Sequence, residues 1–224
     1  MIRELSIDEV WLLVQATRWT VLLALTAFVG GGLVGLVIAI LRVSELRALR
    51  AIAVVYIKVF KGTPLLVQLF LAYFGVNLFG LRVDSWTAAA LGLTLHSSAF
   101  LGEIWRGSIQ AIPIVQWEAA RAIALGYFSQ LRFVIIPQAV RIAIPPTVGF
   151  MVHLVKSTSV ASIIGFTELT RVAQMVNNAT FRPFIVFSIV AAIYFALCWP
   201  LSRLSRRLER RLDHDRHRAV EAWA

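Results

Sequence analysis

WTVLLALTAFVGGGLVGLVIAIL, residues 19–41, carries no ionisable side chain between Arg18 and Arg42. A helix needs about 20 predominantly apolar residues to cross the hydrocarbon of a bilayer, so this stretch reads as a membrane span. It is too long for the apolar core of a signal peptide. Outward from it, the same reading fits residues 63–79, 86–103 and beyond, 137–155 and 184–201, each at or above the lower length limit of about 17 residues. The expectation is an all-α integral membrane protein with five transmembrane helices.

Composition agrees. Of 224 residues, 59% are hydrophobic and only 15% are charged, against about 25% charged in a soluble domain. The short stretches between the apolar runs leave no room for a second domain. The sequence therefore divides into a short segment 1–18, a membrane domain 19–204 and a basic tail 205–224. The net charge of +10 comes from arginines flanking the apolar runs, without the aromatic interleaving of a nucleic-acid platform, so no nucleic-acid partner is expected. Arg42, Arg47, Arg50, Arg106, Arg121, Arg132, Arg141 and the tail arginines fall on one side of a five-span chain; Arg3, Arg18, Arg82, Arg171 and Arg182 fall on the other. The positive-inside rule then places the N-terminus outside and the C-terminus inside. The lone Cys198 forms no internal disulfide.

Gly30, Gly32 and Gly35 have the spacing of a dinucleotide-binding fingerprint, but that motif needs a preceding strand and here it lies within a span. Gly31 and Gly35 instead have the small-x-x-x-small spacing that lets two helices approach closely in lipid. No Gly-x-x-x-x-Gly-Lys phosphate loop precedes Lys156, no HExxH-type pair joins the four histidines and no serine nucleophile elbow is present. Catalysis, a metal site and a bound cofactor in this chain are not expected.

Function is sought where the apolar pattern breaks, because polar groups at membrane depth tend to face a cavity or a partner. His96, Glu103, Arg106 and Gln110 share one helical face. Glu103 suits a cationic group of a solute, or an internal pair with Arg106 at helical spacing. His96 suits a hydrogen bond to a neighbouring helix. Lys61-Gly62-Thr63-Pro64 either starts a helix in the ordinary way or interrupts one, leaving carbonyls that need partners, with Gln68 about a turn further on. Pro145-Pro146 predicts a kink, and Lys156-Ser157-Thr158-Ser159 adds a cation and hydroxyls of the kind found in discontinuous transporter helices; Lys156 equally suits snorkelling to the interface.

Glu118-Ala119-Ala120-Arg121-Ala122-Ile123-Ala124-Leu125-Gly126, followed by Ile135-Ile136-Pro137, resembles the EAA loop of permease subunits in ATP-binding-cassette importers. Phe60 to Gln68, Glu103-Ile104-Trp105-Arg106-Gly107, Pro137-Gln138-Ala139 and Lys156 to Ser159 resemble the polar-amino-acid branch, and the likeness covers nearly all of the chain after Trp19. One departure stands out: Ala124 occupies the loop's usual glycine position, with Gly126 two residues late.

The resemblance implies a type I ABC importer of MetI-like permease fold, in the bacterial cytoplasmic (inner) membrane, with residues 116–137 as a cytoplasmic coupling loop. It implies a second permease subunit, two cytoplasmic ATPase subunits that carry ATP and Mg, and an extracytoplasmic solute-binding protein. The docking residues would be Glu118, Ala119, Ala120, Arg121, Ala124 and Gly126, and the solute, a polar L-amino acid or close analogue, would meet Thr63, Gln68, Glu103, Ser157 and Thr158. A surface helix lying on the membrane is the plainer reading of the loop. An ATP-independent carrier or channel, and a membrane scaffold that moves nothing, are the rival functional classes.

Overall fold

A computed structural model describes residues 6–44 and 46–221, with side chains described as far as residue 212. All regular structure among them is helical. Helix α1 spans Ile7–Val43, 37 residues or about 55 Å at 1.5 Å per residue, well beyond the hydrocarbon thickness of about 30 Å. It begins at Ile7 rather than near Trp19 because Ser6 donates its backbone N–H to the Glu9 carboxylate (2.7 Å) and so caps the first turn. Helix α2 (Arg47–Gly62) and α3 (Leu65–Phe70) meet at the Thr63-Pro64 break, where the chain turns through 104°. A π turn (Leu71–Gly75) and the short α4 (Val76–Leu78) follow.

Asp84 opens α5 (Ser85–Gln110) by accepting from the N–H groups of Trp86 and Thr87 (3.1 and 3.2 Å). The Thr87 hydroxyl also donates to this carboxylate, which holds it below its ordinary range. Helices α6 (Ile114–Ala122) and α7 (Tyr127–Ser129) and a π turn (Gln130–Ile135) lead into α8 (Ile136–Ser157). A 3-10 segment (Thr158–Ile164), α9 (Leu169–Thr180) and α10 (Pro183–Glu221) complete the order.

By length and hydropathy alone, Ile7–Val43, Tyr127–Ile164 and Pro183–Leu212 are fit to cross a membrane, and the bent pair Arg47–Gly62 with Leu65–Leu78 adds a fourth candidate. The expected count of five is not reached by this measure. Helix α5, read as the third span, does not qualify, and its position explains why. It is the central helix, packed on α1, α2, α3 and α8, and it buries His96, Ser97, Ser98 and Ser108 among its neighbours. Lipid exposure selects for apolar side chains; a helix shielded on several sides is free of that demand.

The closest packing joins α1 to α5. A Cβ on Gly31 would stand 2.5 Å from Ser97 Cβ, and one on Gly35 3.0 Å from the Ser98 carbonyl oxygen. Gly102 answers from the other side, 3.0 Å from the Gly35 carbonyl oxygen. These glycines serve helix packing. Leu23, Leu69, Leu93, Leu101, Phe150 and Leu154 form the adjoining core. A second cluster of Leu13, Leu169, Ala173, Val186 and Val190 binds α9 to α1 and α10.

Pro145 and Pro146 do not interrupt α8, which remains helical through both. Lacking N–H groups, they withdraw the helical donors of Arg141 and Ile142. The Pro145 carbonyl also accepts from the Ser205 hydroxyl of α10 (2.9 Å), which ties the two helices together at this point. The discontinuity falls twelve residues later, where α8 gives way to 3-10 geometry at Thr158.

Candidate functional site

The break between α2 and α3 releases carbonyls, and Gln68 collects them. Its Nε2 donates to the carbonyls of Phe60 (2.8 Å) and Thr63 (3.0 Å) and to the Thr63 hydroxyl oxygen (2.9 Å). Its Oε1 lies 3.1 Å from His96 Nδ1 on α5. Thr63 Oγ1 in turn donates to the Val59 carbonyl. Thr63, Gln68 and His96 thus form one clamp across the corner, and His96 bonds to a neighbouring helix as expected. Lys61, beside the same corner, sits over the Phe100 ring at 5.1 Å; Phe100 stacks on Phe150 and lies 4.8 Å from His96, centroid to centroid.

Glu103 lies further along α5 and is engaged by Arg106, whose Nε donates to Oε2 at 2.9 Å and whose second terminal nitrogen reaches Oε1. Arg42 Nε, at the end of α1, stands 3.9 Å from the same carboxylate. Arg106 also donates to Gln110. The internal pair that the sequence allowed is therefore formed, and a second cation joins it. Reading Arg42 only as a topology signal missed this contact. The α1 face that carries Gly31 and Gly35 reaches Arg42 two turns later, and following that face would have found it.

Ser157 and Thr158 are turned inward. Ser157 Oγ donates to the His153 carbonyl (2.9 Å) and Thr158 Oγ1 to the Val155 carbonyl (2.7 Å), and Thr158 is wholly enclosed. The 3-10 segment that follows packs on α3 and α5, so this end of α8 adjoins the Gln68 corner. The connection between the 3-10 segment and α9 hides a residue that drew no notice in the sequence. Glu168 is fully buried, accepting from Thr20 Oγ1, the Tyr194 hydroxyl and the Arg171 N–H.

The residues expected to form a coupling loop lie on and just after α6. Glu118, Ala119 and Arg121 are exposed, whereas Ala120 is buried on the inner face of the helix. The helix ends in a Schellman arrangement: Leu125 N–H donates to the Ala120 carbonyl (3.1 Å) and Ala124 N–H to that of Arg121 (2.9 Å). Ala124 takes the left-handed backbone at φ 58°, while Gly126 is extended at φ −66°. The conformation that favours glycine is thus occupied by alanine, and Gly126 does not replace it. Gln130, buried below, donates to the Leu125 carbonyl (2.6 Å) and ties the loop to the π turn at the start of α8.

Residues 31–214 match the family described as the binding-protein-dependent transport system inner membrane component, and the chain belongs to that family. It is a permease-type transport subunit of the inner membrane rather than a catalyst. Among its relatives, the L-cystine transport system permease protein TcyB of Bacillus subtilis (strain 168) is 37% identical over 213 residues, 91% of each chain. The probable amino-acid ABC transporter permease protein YckA of the same organism is 33% identical over 211 residues, 94% of this chain and 93% of the relative. A solved structure described as an amino acid ABC transporter with histidines matches at TM-score 0.86 and 38% identity, covering 89% of this chain and 94% of that one.

Proposed function

We propose that this chain is the permease subunit of an ATP-driven importer of polar L-amino acids or close analogues. Two permease subunits, copies or paralogues, pair in the membrane with the N-terminus outside and the C-terminus inside. Two cytoplasmic ATPase subunits dock on α6, and an extracytoplasmic binding protein delivers the solute. ATP and Mg belong to the ATPase.

The observation that carries the solute class is the ionic cluster of Glu103, Arg106 and Arg42 on α5 and α1. A carboxylate flanked by two guanidinium groups offers both signs of charge, the complement of a zwitterion. The names of the relatives, amino-acid and L-cystine permeases, support the same class. The Thr63–Gln68 corner and the Ser157–Thr158 junction border the route; their hydroxyls and amide are bonded internally in this conformation and reach solute when the helices reorient.

Docking on α6 is supported by its exposed Glu118, Ala119 and Arg121, flanked by exposed Ile114, Val115 and Ile123. The bonds from Leu125 and Gln130 make the loop and the root of α8 one body. Movement of α6 by the ATPase is therefore carried along α8 to Ser157, a two-state coupling between distant sites.

Uptake measured in proteoliposomes tests the solute site. Glu103→Gln should leave the complex assembled and raise KM for a zwitterionic solute by roughly tenfold or more, as expected when a charged hydrogen bond of about 1.5–3 kcal/mol is lost; unchanged uptake kinetics would refute the role. Glu118→Lys should leave the permease folded but separate ATP hydrolysis from uptake, and a fully coupled variant would remove the docking assignment.

A further inference from the structure

We propose that the cavity beneath α6 binds an anionic phospholipid of the inner leaflet. The cavity, about 640 Å3, lies where the end of α1, the first turn of α2, the end of α5 and α6 converge. Arg42 and Arg50 bring two cations to it, Gln110 an amide, and Ile112, Trp117 and Leu131 apolar and aromatic walls.

Neither cation is saturated. Arg42 shares its carboxylate partner, Glu103 at 3.9 Å, with Arg106 and makes no hydrogen bond through its buried Nε. Among the described residues no carboxylate stands in ion-pair range of Arg50. A surplus of positive charge between apolar walls fits an amphipathic anion; a small hydrated anion would leave the walls uncovered.

The height of the cavity points to lipid. Arg42 is in the last turn of α1, and the helix carries no charge from there back to Arg18, so the cavity opens where the hydrocarbon ends. Val43 lines it, and the same face of α1 continues through exposed Ile40 and Leu36, a track for an acyl chain. Basic pockets between helices on the cytoplasmic side suit such headgroups. Because Trp117 and Ile114 belong to α6, an occupant steadies the docking helix against α1 and α2. The assignment to the inner leaflet rests on the orientation given under Proposed function.

The test is a titration of the purified full chain with fluorescent short-chain phosphatidylglycerol, with phosphatidylcholine as the neutral counterpart. Phosphatidylglycerol should bind preferentially, and Arg50→Gln, at an exposed position away from the core, should weaken it about fivefold, the factor for about 1 kcal/mol per basic residue. Arg50→Lys should largely restore binding, and Arg207→Gln on the exposed face of α10 should change nothing. No effect of Arg50→Gln, or an equal loss with Arg207→Gln, would overturn the site. Displacement by millimolar inorganic phosphate would make it a free-anion site and overturn the lipid assignment. Labelling of an Arg50→Cys variant that also carries Cys198→Ser, from the outer face of right-side-out membrane vesicles, would overturn the inner-leaflet placement alone, since the titration does not depend on orientation or transport.

Discussion

Ala124 and Glu168 show how much a single side chain can reveal. Ala124 holds a left-handed backbone that costs an L-residue about 1–2 kcal/mol relative to the right-handed form. Ala124→Gly should therefore stabilise the folded chain by about 0.5–1 kcal/mol after the greater freedom of glycine in the unfolded state is deducted, read as a raised thermal midpoint. A lowered midpoint would contradict the strain. The displaced glycine was visible in the spacing of the loop, but only the φ angles reveal that Ala124, not Gly126, takes the left-handed position. Glu168 gave no such signal, because a carboxylate in a connection between helices looks solvated until the fold closes Thr20 and Tyr194 over it. Burial pushes its pKa up from 4.5, against the opposing hydrogen bonds from Thr170, Arg171, Tyr194 and Thr20. A raised carboxylate favours the neutral folded form, so its contribution to stability is full below pH 4.5 and is lost as pH rises through the raised value. Glu168→Gln, which keeps the acceptor oxygen, should flatten that decline, whereas Glu168→Ala should cost about 1 kcal/mol or more through the lost cap of α9. Thermal unfolding across pH 4–8 checks both.

Among the elements, the contact between α1 and α5 was the most legible, since small residues four apart in an apolar run have few uses other than close approach. Gly31→Val would drive a branched side chain into Ser97 and the backbone at Ser98. It should destabilise the chain by about 1–3 kcal/mol, the usual penalty of overpacking, whereas Gly107→Ala, with nothing within 4 Å of the new Cβ, should be nearly neutral for packing. Equal thermal stability of the two variants would contradict the packing account. Other elements were read less well. Hydropathy treats residues 63–79 as one span, and Leu65–Leu78 is one helical run with a π turn inside it; what hydropathy missed is α2, joined to that run through the 104° bend at Thr63-Pro64. Pro145 and Pro146 predicted a kink; α8 stays helical through both, and a hydroxyl from α10, sixty residues away, donates to the Pro145 carbonyl, a contact that no local pattern shows. The sequence also brought Glu103 to Arg106 by spacing, while Arg42 came only with the packing of α1.

At the scale of the whole molecule, the parts form a mechanical line. The Schellman turn closes α6, Gln130 fastens the loop to the π turn, α8 runs from there to Ser157, and the 3-10 segment rests on α3 and α5 beside the Gln68 clamp. Pro137, without an N–H for the carbonyl four residues back, follows that π turn, where the helical register is already shifted. The membrane character and family of the chain were legible from apolar runs and the loop motif; of the five expected spans, length and hydropathy alone reach three or four, because the central helix hides its polar residues from lipid. The central claim is that this chain transmits ATP hydrolysis to the movement of an amino acid. Its most direct test is ATP hydrolysis by the chain reconstituted with its ATPase and binding protein, measured while the common L-amino acids are supplied in turn. Stimulation by one or a few of them, abolished by Glu118→Lys, is the predicted result; an assembled, ATPase-active complex that no amino acid stimulates would contradict the account.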